Sequence, residues 1–313
     1  MTNNQQLAFV FPGQGSQKMG MLAELADQHS VVQETFAEAS QVLGYDLWEL
    51  SQHGPQEAMN MTERTQPLLL TSSVAIWRIW QAKGGDRPAL MAGHSLGEWS
   101  ALVCSGVLGF ADAVKLVQLR GKYMQEVVPA GVGSMAAVIG LDDDAIIQCC
   151  QEAEQGEVVS AVNFNSPGQV VIAGHVGAVD RAIELCKSQG AKKAMPLAVS
   201  APFHSSLLKP AADRLAEDMA AVTFLEPEIA IVHNVNAQTQ RDPVAIKQLM
   251  IEQIYHPVLW VDCVKALAAA GITGAVEAGP GKVLSGLIKR IDRSVVAVAS
   301  DTPSSLEAAL LSD

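Results

Sequence analysis

The chain is poor in positive charge. Of its 313 residues, 21 are Lys or Arg and 33 are Asp or Glu, a formal net charge of −12. General nucleic-acid binding runs on cationic contacts to phosphate, and an acidic surface argues against it. Any acidic partner has to dock on a local basic patch. Charge of either sign is sparse: 17% of residues are charged and 49% hydrophobic, a composition that excludes a disordered chain and fits a large core. Cysteine is scarce and unpatterned. Cys104, Cys149, Cys150, Cys186 and Cys263 make an odd count with no C-x-x-C spacing, which suits reduced, mostly buried thiols in a cytoplasm. The opening MTNNQQ has no basic segment ahead of an apolar one, so no signal peptide is expected. No apolar run approaches the roughly 18 to 20 residues that span a bilayer. H-E-x-x-H and similar metal-ligand sets are missing, and Gly279-Pro280-Gly281-Lys282 lacks the spacing of a phosphate loop. There is no internal repeat and no low-complexity linker.

What is present alternates. Short apolar runs at Leu7 to Phe11, Ala89 to Gly93, Ile229 to Val235, Gly274 to Glu277 and Val295 to Ala299 read as buried parallel strands. Between them, 67–83 and 111–127 carry a helical period. Pro67 fits a first helical turn and Gly84-Gly85 an end. Strand and helix in alternation predict an α/β fold with a mostly parallel sheet. Residues 131–198 read differently, as strand, helix, strand, strand, helix, strand. That βαββαβ order is the ferredoxin-like pattern. The expected organisation is a large subdomain of residues 1–130 and 199–313 with a small one of 131–198 inserted, and a cleft between them as the default site.

One stretch carries chemistry. In AGHSLGEW, residues 92–99, Ser95 stands between Gly93 and Gly97, after a predicted strand and before a predicted helix. G-x-S-x-G in that context is a nucleophile elbow, a strained turn that lifts the serine hydroxyl above the sheet edge. The amide of Leu96 is then placed to help hold an oxyanion. On its own the pattern is loose and also fits chance. A serine needs a base. Of seven histidines, His94 is next to Ser95 and should point away; His29 and His53 lie in polar segments; His175, His233 and His256 lie at element ends. His204, in Ser200-Ala201-Pro202-Phe203-His204, sits where the chain returns from the insert to the cleft, and the residues alone leave it open between base and structural histidine. In FVFPGQGSQ, residues 9–17, a tight turn could turn amides near Gln14 toward an anion, or be an ordinary glycine-rich turn.

Six segments in order, FVFPGQGSQ, GHSLGE, QLRG at 118–121, NFNSPGQVVIAG at 163–174, SAPFH and EAGPGKVL, resemble the malonyl-CoA:acyl-carrier-protein transacylases of fatty-acid synthesis and the acyltransferase domains of polyketide synthases, over essentially the whole chain. The resemblance implies an α/β-hydrolase-like large subdomain with a ferredoxin-like insert. It implies Ser95 as acyl nucleophile and His204 as general base and acid. It places Arg120 on the free malonyl carboxylate, the amides of Gln14 and Leu96 in the oxyanion hole, and the backbone carbonyl of Gln253 on His204 in place of the usual aspartate. Asn163 and Asn165 would line the pantetheine side. Leu96 and Phe203 match the malonyl-selective pattern rather than the methylmalonyl one.

The implied reaction is ping-pong transfer of malonyl from malonyl-CoA to the phosphopantetheine thiol of holo acyl carrier protein, with no metal or redox cofactor, CoA arriving as part of the substrate. A fixed arginine suits a dicarboxylic acyl group because its fork binds carboxylate bidentately. From the residues alone, Arg120 reads rather as a surface arginine on the 111–127 helix, paired with a nearby acid such as Glu126 or Asp112. Lys192-Lys193, Lys209 and Lys282/Lys289/Arg290 are the candidate docking patches for an acidic carrier. A monomer in the cytoplasm is expected, without nucleic acid or membrane as partner. The competing readings are an acyltransferase of a polyketide assembly line, a serine esterase or thioesterase, and a non-catalytic carrier-docking protein. The last would predict a broken Ser95, Arg120 or His204.

Overall fold

The computed structural model describes residues 3–199 and 201–311; Ser200, the first residue of SAPFH, lies outside the described residues. The described strands are β1 (Asn3–Phe11), β2 (Arg87–Gly93), β3 (Gly133–Ile139), β4 (Val159–Ser166), β5 (Gln169–His175), β6 (Lys193–Pro196), β7 (Ala230–Val232), β8 (Gly274–Glu277) and β9 (Val296–Ala299). They form two sheets. One has the order β7-β2-β1-β8-β9 and all its pairings are parallel. The other has the order β4-β5-β3-β6 and is antiparallel throughout.

The parallel sheet is covered on both faces, which is why its central strand β1 is apolar at every position from Leu7 to Phe11 rather than alternating. Ala8, Phe9, Val10 and Phe11 of β1 are all fully buried. Phe11 pairs with Gly93, so β1 and β2 end side by side. The turns that follow them, Pro12-Gly13-Gln14 and His94-Ser95, therefore emerge together at the carboxyl edge of the sheet, where open α/β sheets place their ligands. The antiparallel sheet carries the helices Asp143–Ala153 and Val176–Ser188 on one face, the ferredoxin-like arrangement. The two parts are stitched at Val258: its amide donates to Val162 O at 2.8 Å and its carbonyl accepts from Phe164 N at 3.0 Å.

Two local expectations need correcting. The helix expected to begin at Pro67 begins at Thr62 and runs to Ala82, so Pro67 lies inside it. An interior proline costs about 3 kcal/mol. Here every residue from Thr65 to Trp77 is buried, and packing on that scale offsets the loss. The helix end is as expected: Gly84 adopts φ +75°, and Gly85 N–H reaches back to Trp80 O at 3.0 Å. The strand expected over 229–235 is only Ala230–Val232, because His233 and Asn234 turn away to serve the site described next. Among the described residues, no helix is long and apolar enough to cross a membrane.

Candidate active site

Ser95 sits between β2 and the helix Leu96–Cys104 with φ 52° and ψ −108°, a strained backbone for a residue with a side chain. The glycines around it are steric requirements. A Cβ on Gly93 would lie 2.0 Å from Gly97 C, and one on Gly97 would lie 1.9 Å from Phe11 O. The elbow therefore closes only with glycine at both positions.

His204 approaches from the segment after the small sheet, with φ 63° and 3% exposure. Its Nδ1 lies 2.7 Å from Gln253 O. A carbonyl can only accept, so Nδ1 carries the proton and Nε2 is the basic nitrogen. Nε2 accepts from Ser95 Oγ at 2.7 Å. Burial first, and then the Arg120 cation, push the His204 imidazole down to about 3. Without a partnered acid at Nδ1 it is a neutral base held in one tautomer.

Arg120 comes from the helix Phe110–Glu126 and is 2% exposed. The surface alternative fails: Glu126 pairs with Lys122 and Arg214, while Arg120 turns inward. Its Nη1 donates to Gln66 Oε1 at 2.8 Å, and its Nη2 to Gln253 Oε1 at 3.0 Å and to Ser95 Oγ at 3.2 Å. Burial lowers it to about 10, against the field of Glu98, and it stays a cation at neutral pH. A buried cation stands beside the strained serine.

A cavity of about 650 Å³ opens over these groups, and Ser95, Arg120 and His204 line it with Gln14, Asn163 and Phe203. Leu96, Gln253 and Asn165 do not line the cavity. Leu96 is 1% exposed and can offer only its backbone. Gln253 is fully buried behind Arg120, so it orients groups and does not touch the cavity. Asn165 does not line the cavity; its Oδ1 accepts from His94 Nε2 at 2.7 Å. His94 in turn does not point away as expected. It lines the cavity, drawn toward the small sheet by that hydrogen bond. Asn163 Oδ1 is buried with no hydrogen-bond partner. Of the basic patches, Lys209 is paired with Asp213 and Arg290 donates to Gln169, while Lys192, just before β6, and Lys193, its first residue, are exposed.

Sequence reasoning missed Gln66, Glu98 and Asn234. Asn234 Oδ1 accepts from Ser95 N at 2.8 Å and its Nδ2 donates to Gly93 O at 2.7 Å, so it clamps both sides of the elbow. Glu98 accepts from Gln253 Nε2 at 2.6 Å, His233 Nδ1 at 2.7 Å and Asn234 N at 3.1 Å. The available signal was a glutamate three residues after the serine, the one charged residue on the helix Leu96–Cys104. Among the described residues, no group of three or more His, Cys, Asp or Glu could hold a metal ion.

The sequence matches the acyl transferase domain family over residues 8–304. The malonyl CoA-acyl carrier protein transacylase of Salmonella typhimurium is 58% identical over 305 residues, covering 97% of this chain and 99% of the relative. The protein of the same description from Bacillus subtilis is 44% identical over 306 residues, covering 97% and 96%. Among solved structures, an acyl carrier protein S-malonyltransferase from Vibrio cholerae has a TM-score of 0.96 at 58% identity, over 97% of this chain and 99% of that one. A malonyl-transacylase solved in complex with its type II polyketide synthase acyl carrier protein gives a TM-score of 0.97 at 54% identity, over 98% and 100%.

Proposed function

The chain belongs to the acyl transferase domain family, and on that premise we propose that it carries malonyl from malonyl-CoA to the thiol of holo acyl carrier protein, supplying fatty-acid synthesis. The observation that carries the reading is the placement of Ser95 Oγ, 2.7 Å from the basic nitrogen of His204 and 3.2 Å from the Arg120 guanidinium. The first contact supplies a nucleophile. The second supplies a fixed cation for the free carboxylate of a short diacid.

Ser95 Oγ attacks the thioester carbonyl while His204 Nε2 takes its proton. The amides of Gln14 and Leu96 hold the oxyanion, a donor pair whose members are typically worth about 10²–10³ in rate each. The C–S bond breaks, and the CoA sulfur leaves with the proton from His204. The malonyl ester on Ser95 waits with its carboxylate on Arg120. The carrier thiol then gives its proton to His204 and attacks the ester, and Ser95 recovers the proton as it leaves. Asn163 Oδ1, buried without a partner at the cavity, suits an amide N–H of the pantetheine arm. Phe203 in the wall suits an α-carbon without a branch. The chain works as a monomer in the cytoplasm, a setting supported by five buried free thiols.

Partition of the acyl group tests this. Enzyme loaded with labelled malonyl-CoA is offered holo acyl carrier protein. Label moving to the carrier faster than malonate appears supports transfer; label lost to water at a rate the carrier does not change supports an esterase. A carrier of a polyketide assembly line is the second reading, favoured by the likeness to the polyketide complex. It predicts faster discharge to that carrier than to one of fatty-acid synthesis.

A further inference from the structure

Glu98 takes no part in the proposed transfer, yet it is 0% exposed and lies one hydrogen bond from the Gln253 that holds both Arg120 and His204. Its carboxylate receives three donors and touches no substrate-lining surface. We propose that Glu98 is a positioning residue for acyl selection: it locks the Gln253 amide so that the Arg120 cation faces Ser95 and accepts only acyl groups that bring a second carboxylate, an inference that rests on the transfer reading above.

The chemistry of the amide makes the case. The two ends of the Gln253 side chain have nearly the same shape and opposite polarity. Its Nε2 donates to Glu98 Oε2 at 2.6 Å and to Ser95 O at 3.0 Å, while its Oε1 accepts from Arg120 Nη2 at 3.0 Å. Turned over, the amide would set N–H against guanidinium N–H and oxygen against carboxylate. The acid on one side and the cation on the other thus select one orientation. Glu98 cannot yield, because His233 Nδ1 and Asn234 N hold it. Its charge also opposes that of Arg120, whose burial is otherwise costly. The relay runs Glu98, Gln253, Arg120, and it fixes the guanidinium before substrate arrives.

Glu98→Gln keeps the shape, removes the charge and places an NH₂ among donors. Single-turnover loading of Ser95 is measured with malonyl-CoA and with acetyl-CoA, for wild type, Glu98→Gln, Arg120→Met and the double variant. The expected result is a fall in the malonyl-over-acetyl loading ratio of about tenfold or more in Glu98→Gln, and no further fall when it is added to Arg120→Met. Melting temperature gives an independent readout: the double variant, with both buried charges removed, melts higher than Glu98→Gln alone. A variant that slows both acyl groups equally has only lost structure, and the proposal falls. It falls as well if the double variant is no more stable than the single, including the case where neither can be purified folded. If wild type itself fails to load malonyl, the transfer reading fails first and the fault does not lie with Glu98.

Discussion

The two walls of the cleft are built on opposite plans. The wall of the parallel sheet presents Ser95, His204 and Arg120, each fixed by hydrogen bonds to buried Gln66, Asn234 or Gln253. The wall of the antiparallel sheet presents Met135 and Leu197, with the amide of Asn163 as its polar group. Reacting groups need positions fixed to fractions of an ångström, and strand ends backed by buried polar partners provide them. A long, thin, mostly neutral arm needs apolar surface and an occasional hydrogen bond. One wall does chemistry and the other holds a handle, so substitutions on the two should split between rate and affinity.

The sharpest break falls on the first wall. His204→Ala removes the base and should lower the loading rate roughly 10³- to 10⁴-fold with the affinity for malonyl-CoA little changed, checked by stopped-flow acylation. Arg120→Ala should cost about 10- to 100-fold in kcat/KM for malonyl-CoA, the worth of charge-assisted hydrogen bonds to a carboxylate. Acetyl-CoA, which has no second carboxylate, should lose much less; equal losses for both would remove Arg120 from acyl selection. Phe203→Ala should raise kcat/KM for methylmalonyl-CoA relative to malonyl-CoA by about 10- to 200-fold, the range that one methyl group commands.

The smallest expected effect is an absence. An ordinary imidazole loses its basic form below pH 6.5. Burial, and after it Arg120, hold His204 near 3, so its basic form persists and kcat/KM for loading should stay flat from pH 8 to pH 5. Stability has the opposite sign. The unfolded chain binds a proton near 6.5 that the folded chain refuses until about 3. His204 therefore supports the fold fully above pH 6.5, and that support fades by about 1.4 kcal/mol per pH unit as pH falls toward 3. Melting of wild type against His204→Gln between pH 7 and 5 should show the difference.

Much of this was readable from residues in order, and the reasons are local. The elbow depends on Gly93, Ser95 and Gly97 within five residues, and the βαββαβ insert on short-range periodicity. Gln253 and Glu98 work through contacts 155 residues apart in sequence, which no periodicity encodes. Elbow hydrolases usually carry their acid between serine and histidine, and in this chain most acids of that stretch lie in the insert. The one at the site is Glu98, in the first turn after the nucleophile, and it acts through Gln253 rather than on His204 directly. Pro67 misled for a related reason: proline marks a helix start only where tertiary burial is too weak to carry it further inside.

The most direct measurement is the intact mass of the protein after brief exposure to malonyl-CoA, for wild type and for Ser95→Ala. A gain of one malonyl group on wild type alone, mapped to the peptide that contains Ser95 and removed by holo acyl carrier protein, is the expected result. An equal gain on Ser95→Ala, or none on either, would contradict an acyl-serine at the elbow and with it the division of labour between the two walls.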